Sequence, residues 1–344
     1  MAAKVVAFDV DETLGHFSQF SYFGHTLGQY FNKPDIMYRY FNDLVDLYPE
    51  IIRPNMVRIL DYIRKKKNAG VCSKVMIYTN NMGPDKWVAH IRSYFENKLR
   101  SMHHHSGGGG KRSAGAGAGA GGLLIVPPLF DHTIGGFKPH NERTASASAS
   151  ASAYPERTTT HKTVNEFIRC GRLPSDIEIC FLDDVEHPKM VDERVYYIKL
   201  QAYHSYIPFE MFVVRFLNSA LYRDVFSHFQ VPSIIPGTSS AVKSHILSIE
   251  MNNLLVKIAE AAEYDVKANQ RKVNPREIDE IISKYILYHL QQFFRDGLAS
   301  AMHKPRNKTS KKNSRATSLN RRRVYYIDKN TAVKNMKNKT IRNR

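Results

Sequence analysis

Four short runs constrain what this chain can fold into: Lys4–Phe8, Lys74–Tyr78, Ile177–Leu182 and Val195–Lys199. They are continuously apolar or β-branched rather than alternating, the pattern of strands covered on both faces. Helical periods lie between them. Met56, Ile59, Leu60 and Ile63 recur at helical spacing and lead into the basic stretch Arg64–Lys67, which suits a helix C-terminus. Val164, Phe167 and Ile168 repeat the pattern, with Gly171 as the stop. Strands alternating with helices predict an α/β fold: a Rossmann-like parallel sheet flanked by helices.

Two low-complexity inserts, residues 103–122 and 144–153, interrupt the alternation and read as surface expansions. Between them, "LLIVPPLFDHTIGGFKPHNER" suggests a β-hairpin turning near Gly135-Gly136. Beyond the fourth strand a helix is expected over Phe209–Phe229, then a linker, "VPSIIPGTSS". Two further helices follow, about Val242–Tyr264 and Pro275–Ser300. The second carries an apolar stripe of Ile278, Ile281, Ile282, Tyr285, Ile286, Phe293 and Phe294, and together they suggest a C-terminal helical hairpin. The expected organisation is an α/β domain over 1–230, a helical hairpin over 231–302, and a disordered basic tail over 303–344.

Charge sets that tail apart. The chain has a formal charge of +18, of which 15 Lys or Arg against the single acid Asp328 lie from His303 onward. Such a block has polyanions as its natural partners. Tyr325 and Tyr326 beside Arg321, Arg322 and Arg323 suit nucleic acid, where rings stack on bases; a solubilising or nuclear-targeting tail is the alternative. Cys72, Cys170 and Cys180 form no CxxC pair and read as buried free thiols. With neither a signal peptide nor a membrane-length apolar run, the expected location is intracellular, cytoplasmic or nuclear, without a membrane partner.

The chemistry begins in "VVAFDVDETLG", residues 5–15, where a buried strand ends in acids. Asp9 and Asp11 stand at the end of the first strand, Thr79-Asn80-Asn81 at the end of the second, and Asp183-Asp184 at the end of the third. Ligands of open α/β sheets bind at that edge. Clustered carboxylates repel unless a cation offsets them, and an all-oxygen set favours a hard ion, Mg²⁺. The His103-His104-His105 run and Trp87 read as surface or packing residues. Glu186 and His187, just past the acidic pair and near the crevice, read as surface residues with support of the site as the alternative. In "GGGGKRS" Lys111 is followed by Arg112 where a phosphate loop has Ser or Thr.

These residues resemble a family. "FDVDETLG" is similar to the first motif of the haloacid dehalogenase-like (HAD) hydrolases, in the DxDx(T/V) form of their phosphatases; "MIYTNN", Lys162 and "CFLDD" resemble the second, third and fourth, in order. Lys138 in "GGFKPH" is the rival for the third. Arg53-Pro54 before the helix at Met56 resembles the NLI-interacting-factor-like and carboxy-terminal-domain phosphatases, although Thr79-Asn80 stands where that branch carries Thr-Ala. The resemblance implies a Mg²⁺-dependent phosphomonoester hydrolase. Asp9 would be the nucleophile forming an aspartyl-phosphate, and Asp11 the general acid and base. Thr79 would hold the phosphoryl oxygens and Lys162 would neutralise charge. Asp9, Asp11 (through its carbonyl), Asp183 and Asp184 would hold the ion. Gly15 would permit a tight turn, and residues 16–28 would form a flap. The substrate would be a phosphorylated protein, small molecule or nucleic-acid end. A polynucleotide end phosphatase using the tail, and a non-catalytic scaffold on the same fold, are the alternatives.

Overall fold

The computed structural model describes residues 3–83, 85–106, 127–138, 154–226, 248–258, 273–296 and 324–330. Six strands form one sheet: β1 (Lys4–Phe8), β2 (Lys74–Tyr78), β3 (His132–Ile134), β4 (Glu178–Asp183), β5 (Val195–Leu200) and β6 (Val324–Ile327). Their order is β3-β2-β1-β4-β5-β6 and every pairing is parallel. The expected α/β class is therefore what the chain adopts. It divides into two compact units, each woven from several stretches of sequence.

The first unit comprises Met1–Asp9, Asn55–Leu200 and Ser283–Asp328. The sheet core joins Val5, Ala7, Met76, Tyr78, Ile179, Phe181 and Tyr197 to Phe167 of helix α6 (Val164–Gly171). Helix α4 (Met56–Asn68) buries the periodic face Met56, Ile59, Leu60 and Ile63, and its last turn carries three lysines. Its buried Arg64 pairs with Asp61 and donates to the Leu99 carbonyl of α5 (Asp85–Ser106) at 2.7 Å. Helix α6 starts with a side-chain cap: the Thr163 hydroxyl accepts from the Glu166 N–H at 3.1 Å, while the Thr163 N–H donates to the Tyr78 hydroxyl at 3.0 Å. It ends where Arg172 takes a left-handed conformation, one residue after Gly171. The long helix α9 (Arg276–Asp296) contributes its residues from Ser283 onward to this unit. In its second half Phe293 packs on Tyr196 and Phe294 on Tyr62, and the Phe293 carbonyl accepts from the Lys4 ammonium at 2.9 Å.

Two expectations are corrected here. Residues 127–138 contribute one strand, not a hairpin: β3 runs parallel to β2. Asp131 explains the pairing, because its N–H donates to the Val75 carbonyl while its carboxylate accepts from the Val75 N–H, both at 2.8 Å. Lys67 holds the same carboxylate at 2.8 Å. The segment expected to be a disordered tail also contains β6. "VYYI" is β-branched and aromatic throughout, favoured on a sheet whatever the charge around it, and Tyr325 stacks on Tyr196 at 4.4 Å. The Gly- and Ser-rich stretches 107–126 and 139–153, the linker 231–240 and the basic residues 303–323 lie outside the described residues.

The second unit comprises Val10–Pro54, Gln201–Ile282 and Lys329–Arg344. Residues 16–28, a flap by resemblance, include most of helix α1 (Ser18–Tyr30), which buries Phe20, Phe23 and Leu27. Short helices α2 (Ile36–Arg39) and α3 (Phe41–Leu47) follow. Tyr48 meets Phe212 of α7 (Phe209–Leu217) at 4.3 Å and donates to its carbonyl at 2.7 Å. The helix expected to reach Phe229 stops at Leu217, and Tyr222–Phe226 forms a π-helical turn. Residues 248–258 form α8, within the range expected for the penultimate helix, with Leu254 and Ile258 buried. Among the described residues no helix is long and apolar enough to cross a membrane.

Arg53 organises this unit's start. Fully buried, it donates Nε to the Thr13 carbonyl at 2.7 Å and Nη2 to the carbonyls of Glu12 and Gln201, at 2.5 and 2.9 Å. Its guanidinium lies over the Tyr203 ring. Gly15 is required in this loop, since a Cβ there would stand 2.5 Å from the Ile51 carbonyl oxygen.

Candidate functional site

Strands β1 and β4 are neighbours at the point where strand order reverses. The chain steps outward from β1 to β2 and β3, then returns to the other side of β1 for β4. Such a switch point leaves a crevice beyond the carboxyl ends of the strands. Phe8 pairs with Leu182, and the Asp9 N–H continues the ladder to the Leu182 carbonyl at 2.9 Å. That register sets Asp9 beside Asp183.

Lys162 closes the pair. Its Nζ lies 2.6 Å from Asp9 Oδ1 and 2.7 Å from Asp183 Oδ2, with only 2% of its side chain exposed. The stem passes near the rings of Tyr78 and Phe181. The ammonium is placed by the cap that starts α6, since Lys162 directly precedes Thr163. Glu166 braces the approach by accepting from the Thr158 N–H and hydroxyl at 2.8 and 2.9 Å.

The three charges move one another's titration. Burial pushes the Asp9 carboxyl up to about 7; Lys162 opposes the rise, and Asp183 adds to it. Burial also works against Asp183, but the His187 hydrogen bond and the Lys162 charge win and hold it below the usual carboxylate range. Burial pulls Lys162 down, yet Asp9 and Asp183 outweigh it and the amine is raised. His187 Nε2 lies 3.3 Å from Asp183 Oδ2, and the Val185 N–H donates to Asp183 Oδ1 at 2.7 Å. His187 thus contacts the site, the alternative to a surface position that its place just past the acidic pair left open.

Asp9, Asp183 and Asp184 also form a cluster that could hold a metal ion, with one oxygen from each within 4.8 Å of the others. Asp9 and Asp183 each give one oxygen to Lys162 and carry a second. The donor set is entirely carboxylate oxygen.

Thr79 follows β2 and is buried. Its N–H donates to the Ile134 carbonyl at 3.0 Å, and its hydroxyl accepts from the Asn81 N–H at 3.1 Å. Gly136 lets the exits of β2 and β3 approach: a Cβ on it would lie 2.9 Å from the Asn80 carbonyl oxygen. Asp11 belongs to the second unit, where its carbonyl accepts from the Thr13 N–H at 2.6 Å and it bridges to Gly15. Lys138 follows β3 and is half-buried. The structure thus gathers Asp9, Lys162, Asp183 and Asp184, with Thr79 at the end of the strand next to β1.

One residue escaped the sequence reading. Arg157 is 3% exposed and holds the β2 and β3 exits together: Nη1 donates to the Thr79 carbonyl at 3.1 Å, to Asn80 Oδ1 at 2.8 Å and to the Gly135 carbonyl at 3.4 Å. Nη2 donates to the Thr160 carbonyl at 2.9 Å, and the guanidinium lies over the Tyr78 ring. Its acceptors are mostly backbone carbonyls, which leave no residue pattern to read. All three cysteines are buried and free, as expected, and burial raises each thiol, Cys72 to about 12. Comparison of the chain with protein-family models, with curated proteins and with solved structures finds no match.

Proposed function

We propose that this chain is a Mg²⁺-dependent phosphomonoester hydrolase that works through an aspartyl-phosphate on Asp9. The observation that carries the reading is Lys162, a buried ammonium bridging Asp9 and Asp183 at the switch point of the sheet. A buried cation there opposes the desolvation that would otherwise neutralise the carboxylate, and so favours the ionised state a nucleophile needs. The resemblance of four ordered motifs to the HAD phosphatases supports the same assignment.

In this reading an Asp9 oxygen attacks phosphorus and the ester P–O bond breaks. Asp11, two residues further along the chain, gives its proton to the departing oxygen. Asp11 then takes a proton from water, the water oxygen attacks phosphorus, and inorganic phosphate leaves as Asp9 is regenerated. Lys162 offsets the charge of Asp9 and of the entering phosphate, and Thr79 with the amide after it orients the phosphoryl oxygens. Asp183 and Asp184, with Asp9, are suited to Mg²⁺, because hard oxygen donors select a hard cation; when bound it supplies further charge neutralisation.

The substrate is a phosphate monoester. The 15 basic residues from His303 onward favour a nucleic-acid end as one such substrate, bound through the tail. The test is phosphate release from an aryl phosphate, phosphopeptides, small phosphates and phosphate-ended oligonucleotides, each with and without Mg²⁺. Turnover that needs Mg²⁺ and disappears in Asp9→Asn supports the reading. No turnover of any of them overturns it in favour of a non-catalytic binding protein.

A further inference from the structure

The second unit contains a cluster that the phosphatase reading does not use. Glu12, His16 and His204 each offer one ligand atom, and these atoms all lie within 4.8 Å of one another. We propose that Glu12, His16 and His204 form a binding site for a transition-metal ion of the Zn²⁺ class, separate from the carboxylates of β1 and β4.

The donor set differs in kind from the first cluster. Two imidazoles and one carboxylate suit Zn²⁺ and other borderline metals and disfavour Mg²⁺. His16 is oriented as a ligating histidine is. Its Nδ1 lies 2.9 Å from the Ser205 carbonyl oxygen and 3.3 Å from the Ser205 nitrogen. With the proton on Nδ1 the ring donates to that carbonyl and Nε2 carries the lone pair a metal takes; with the proton on Nε2, Nδ1 accepts from the Ser205 N–H instead. A backbone carbonyl behind the ring is the usual outer partner of a metal-bound imidazole. Nε2 faces Glu12 Oε1 at 3.9 Å, too long for a hydrogen bond. With metal–ligand bonds of about 2.0–2.1 Å, two donors on one ion stand roughly 3 to 4 Å apart. The spacing is one that an ion held by both atoms can span.

The scaffold fixes all three ligands. His204 lies between Tyr203 and Ser205, and both neighbours are tied to the segment bearing the other two ligands. The Tyr203 N–H donates to the Glu12 carbonyl at 2.8 Å, and Ser205 holds the His16 ring. Arg53 binds the Glu12 carbonyl from the other side. Glu12 itself takes a left-handed φ of 53°, uncommon for a residue with a Cβ, and a sign that its direction is imposed by the fold. The His16 and His204 rings meet edge to face at 5.2 Å. His16 is 1% exposed and Glu12 29%, so the cluster has a closed back and an open mouth for an ion. A bound ion pins residues 12–16, and the adjoining Asp11, to residues 203–205.

The experiment uses the full-length protein, stripped with a chelator and titrated with Zn²⁺, with retained metal measured after gel filtration. Co²⁺ loading reports imidazole coordination by visible absorption. One Zn²⁺ per chain is expected in the wild type, in the Asp184→Asn variant, which leaves both acids on Lys162, and after His103, His104 and His105 are all changed to Ala. His204→Ala and Glu12→Gln are each expected to raise the Zn²⁺ dissociation constant at least about 100-fold, the upper end of what removing an outer-shell partner costs. Glu12→Gln keeps the size of a half-exposed side chain, so it reports even if His204→Ala fails to fold. No retained Zn²⁺ in the wild type, a smaller effect of Glu12→Gln, or loss of the ion on removing His103–His105 or in Asp184→Asn overturns the proposal.

Discussion

The Lys162 ammonium stands 2.6 Å from Asp9 Oδ1 with almost none of its side chain exposed. A lysine so placed holds two buried acids together, and removing it leaves Asp9 beside Asp183 with no protein cation between them. Lys162→Met is expected to destabilise the fold by about 3–5 kcal/mol, the usual cost of leaving a buried charge uncompensated. Mg²⁺ is expected to restore part of the loss. Urea unfolding with and without Mg²⁺ measures both; a midpoint unchanged from wild type refutes the bridging role.

Asp9→Asn keeps the size and most of the hydrogen bonding of the side chain but removes the nucleophile. Phosphate release is expected to fall by more than about 100-fold with folding retained, as nucleophile replacements elsewhere cost far more than that. Residual turnover above about a tenth of wild type in steady-state assays removes Asp9 from the role.

Asp11→Asn tests the acid. A poor leaving group needs the proton and an aryl oxide does not, so alkyl phosphates are expected to lose about 10²–10⁴-fold and aryl phosphates less in the first step. Rapid-quench measurement with the aryl substrate is expected to find accumulated phosphoenzyme, because the second step loses its base. Equal defects for the two substrates contradict the assignment.

Away from the site, His289 makes stability depend on pH. It is half-buried, its Nδ1 lies 2.9 Å from the Tyr196 hydroxyl, and burial lowers its pKa to about 4. Burial, then the charges of Arg92 and Lys74, lower His132 likewise to about 4. The folded pKa lies below the free value of about 6.5, so the unfolded chain binds more protons between them. This contribution is full above about 6.5 and is lost as pH falls toward 4. His289→Gln is expected to flatten the slope of unfolding free energy against pH in that window by up to about 1.4 kcal/mol per pH unit, the value of one proton. An unchanged slope in urea titrations at stepped pH excludes His289 as a source.

The basic segment must be tested without removing β6. Replacing the nine Lys and Arg between 304 and 323 by Gln leaves Val324–Ile327 intact. Oligonucleotide affinity is expected to fall and its salt dependence to flatten, while hydrolysis of an aryl phosphate is unchanged, since Asp9, Lys162 and Asp183 are untouched. Binding with the same affinity and salt slope as wild type assigns the segment to targeting or solubility instead.

The parts legible in the sequence are those that local pattern dictates. β1, β2, β4 and β5 are continuous apolar runs, and each forms within a residue of its expected bounds. Helix α9 was visible from its stripe, and Ile278, Ile282, Ile286, Phe293 and Phe294 are all buried. β3 was misread because three residues after a Pro-Pro pair carry no period, and its partner is chosen by Asp131. β6 was missed because four residues of strand chemistry lie among lysines and arginines. At the site, Asp9, Asp183 and Asp184 were legible as acids ending apolar strands, and Lys162 by motif and spacing. In the separate cluster of the second unit, the meeting of His16 and His204 was not legible, for they lie far apart in the chain and are brought together through the bonds of Tyr203 and Ser205.

The pairing of β5 with β6 has a consequence for how the protein is made. Tyr197 pairs with Val324, so one edge of β5 stays uncovered until the ribosome has released more than a hundred further residues. A nascent chain in that state presents a row of unpaired backbone groups on "VYYIKL", an aromatic and β-branched template for joining other chains. Synthesis arrested between β5 and β6, as in the basic stretch 303–323, is therefore expected to yield aggregation-prone fragments, and "VYYI" acts as the late-arriving cover that ends the exposure.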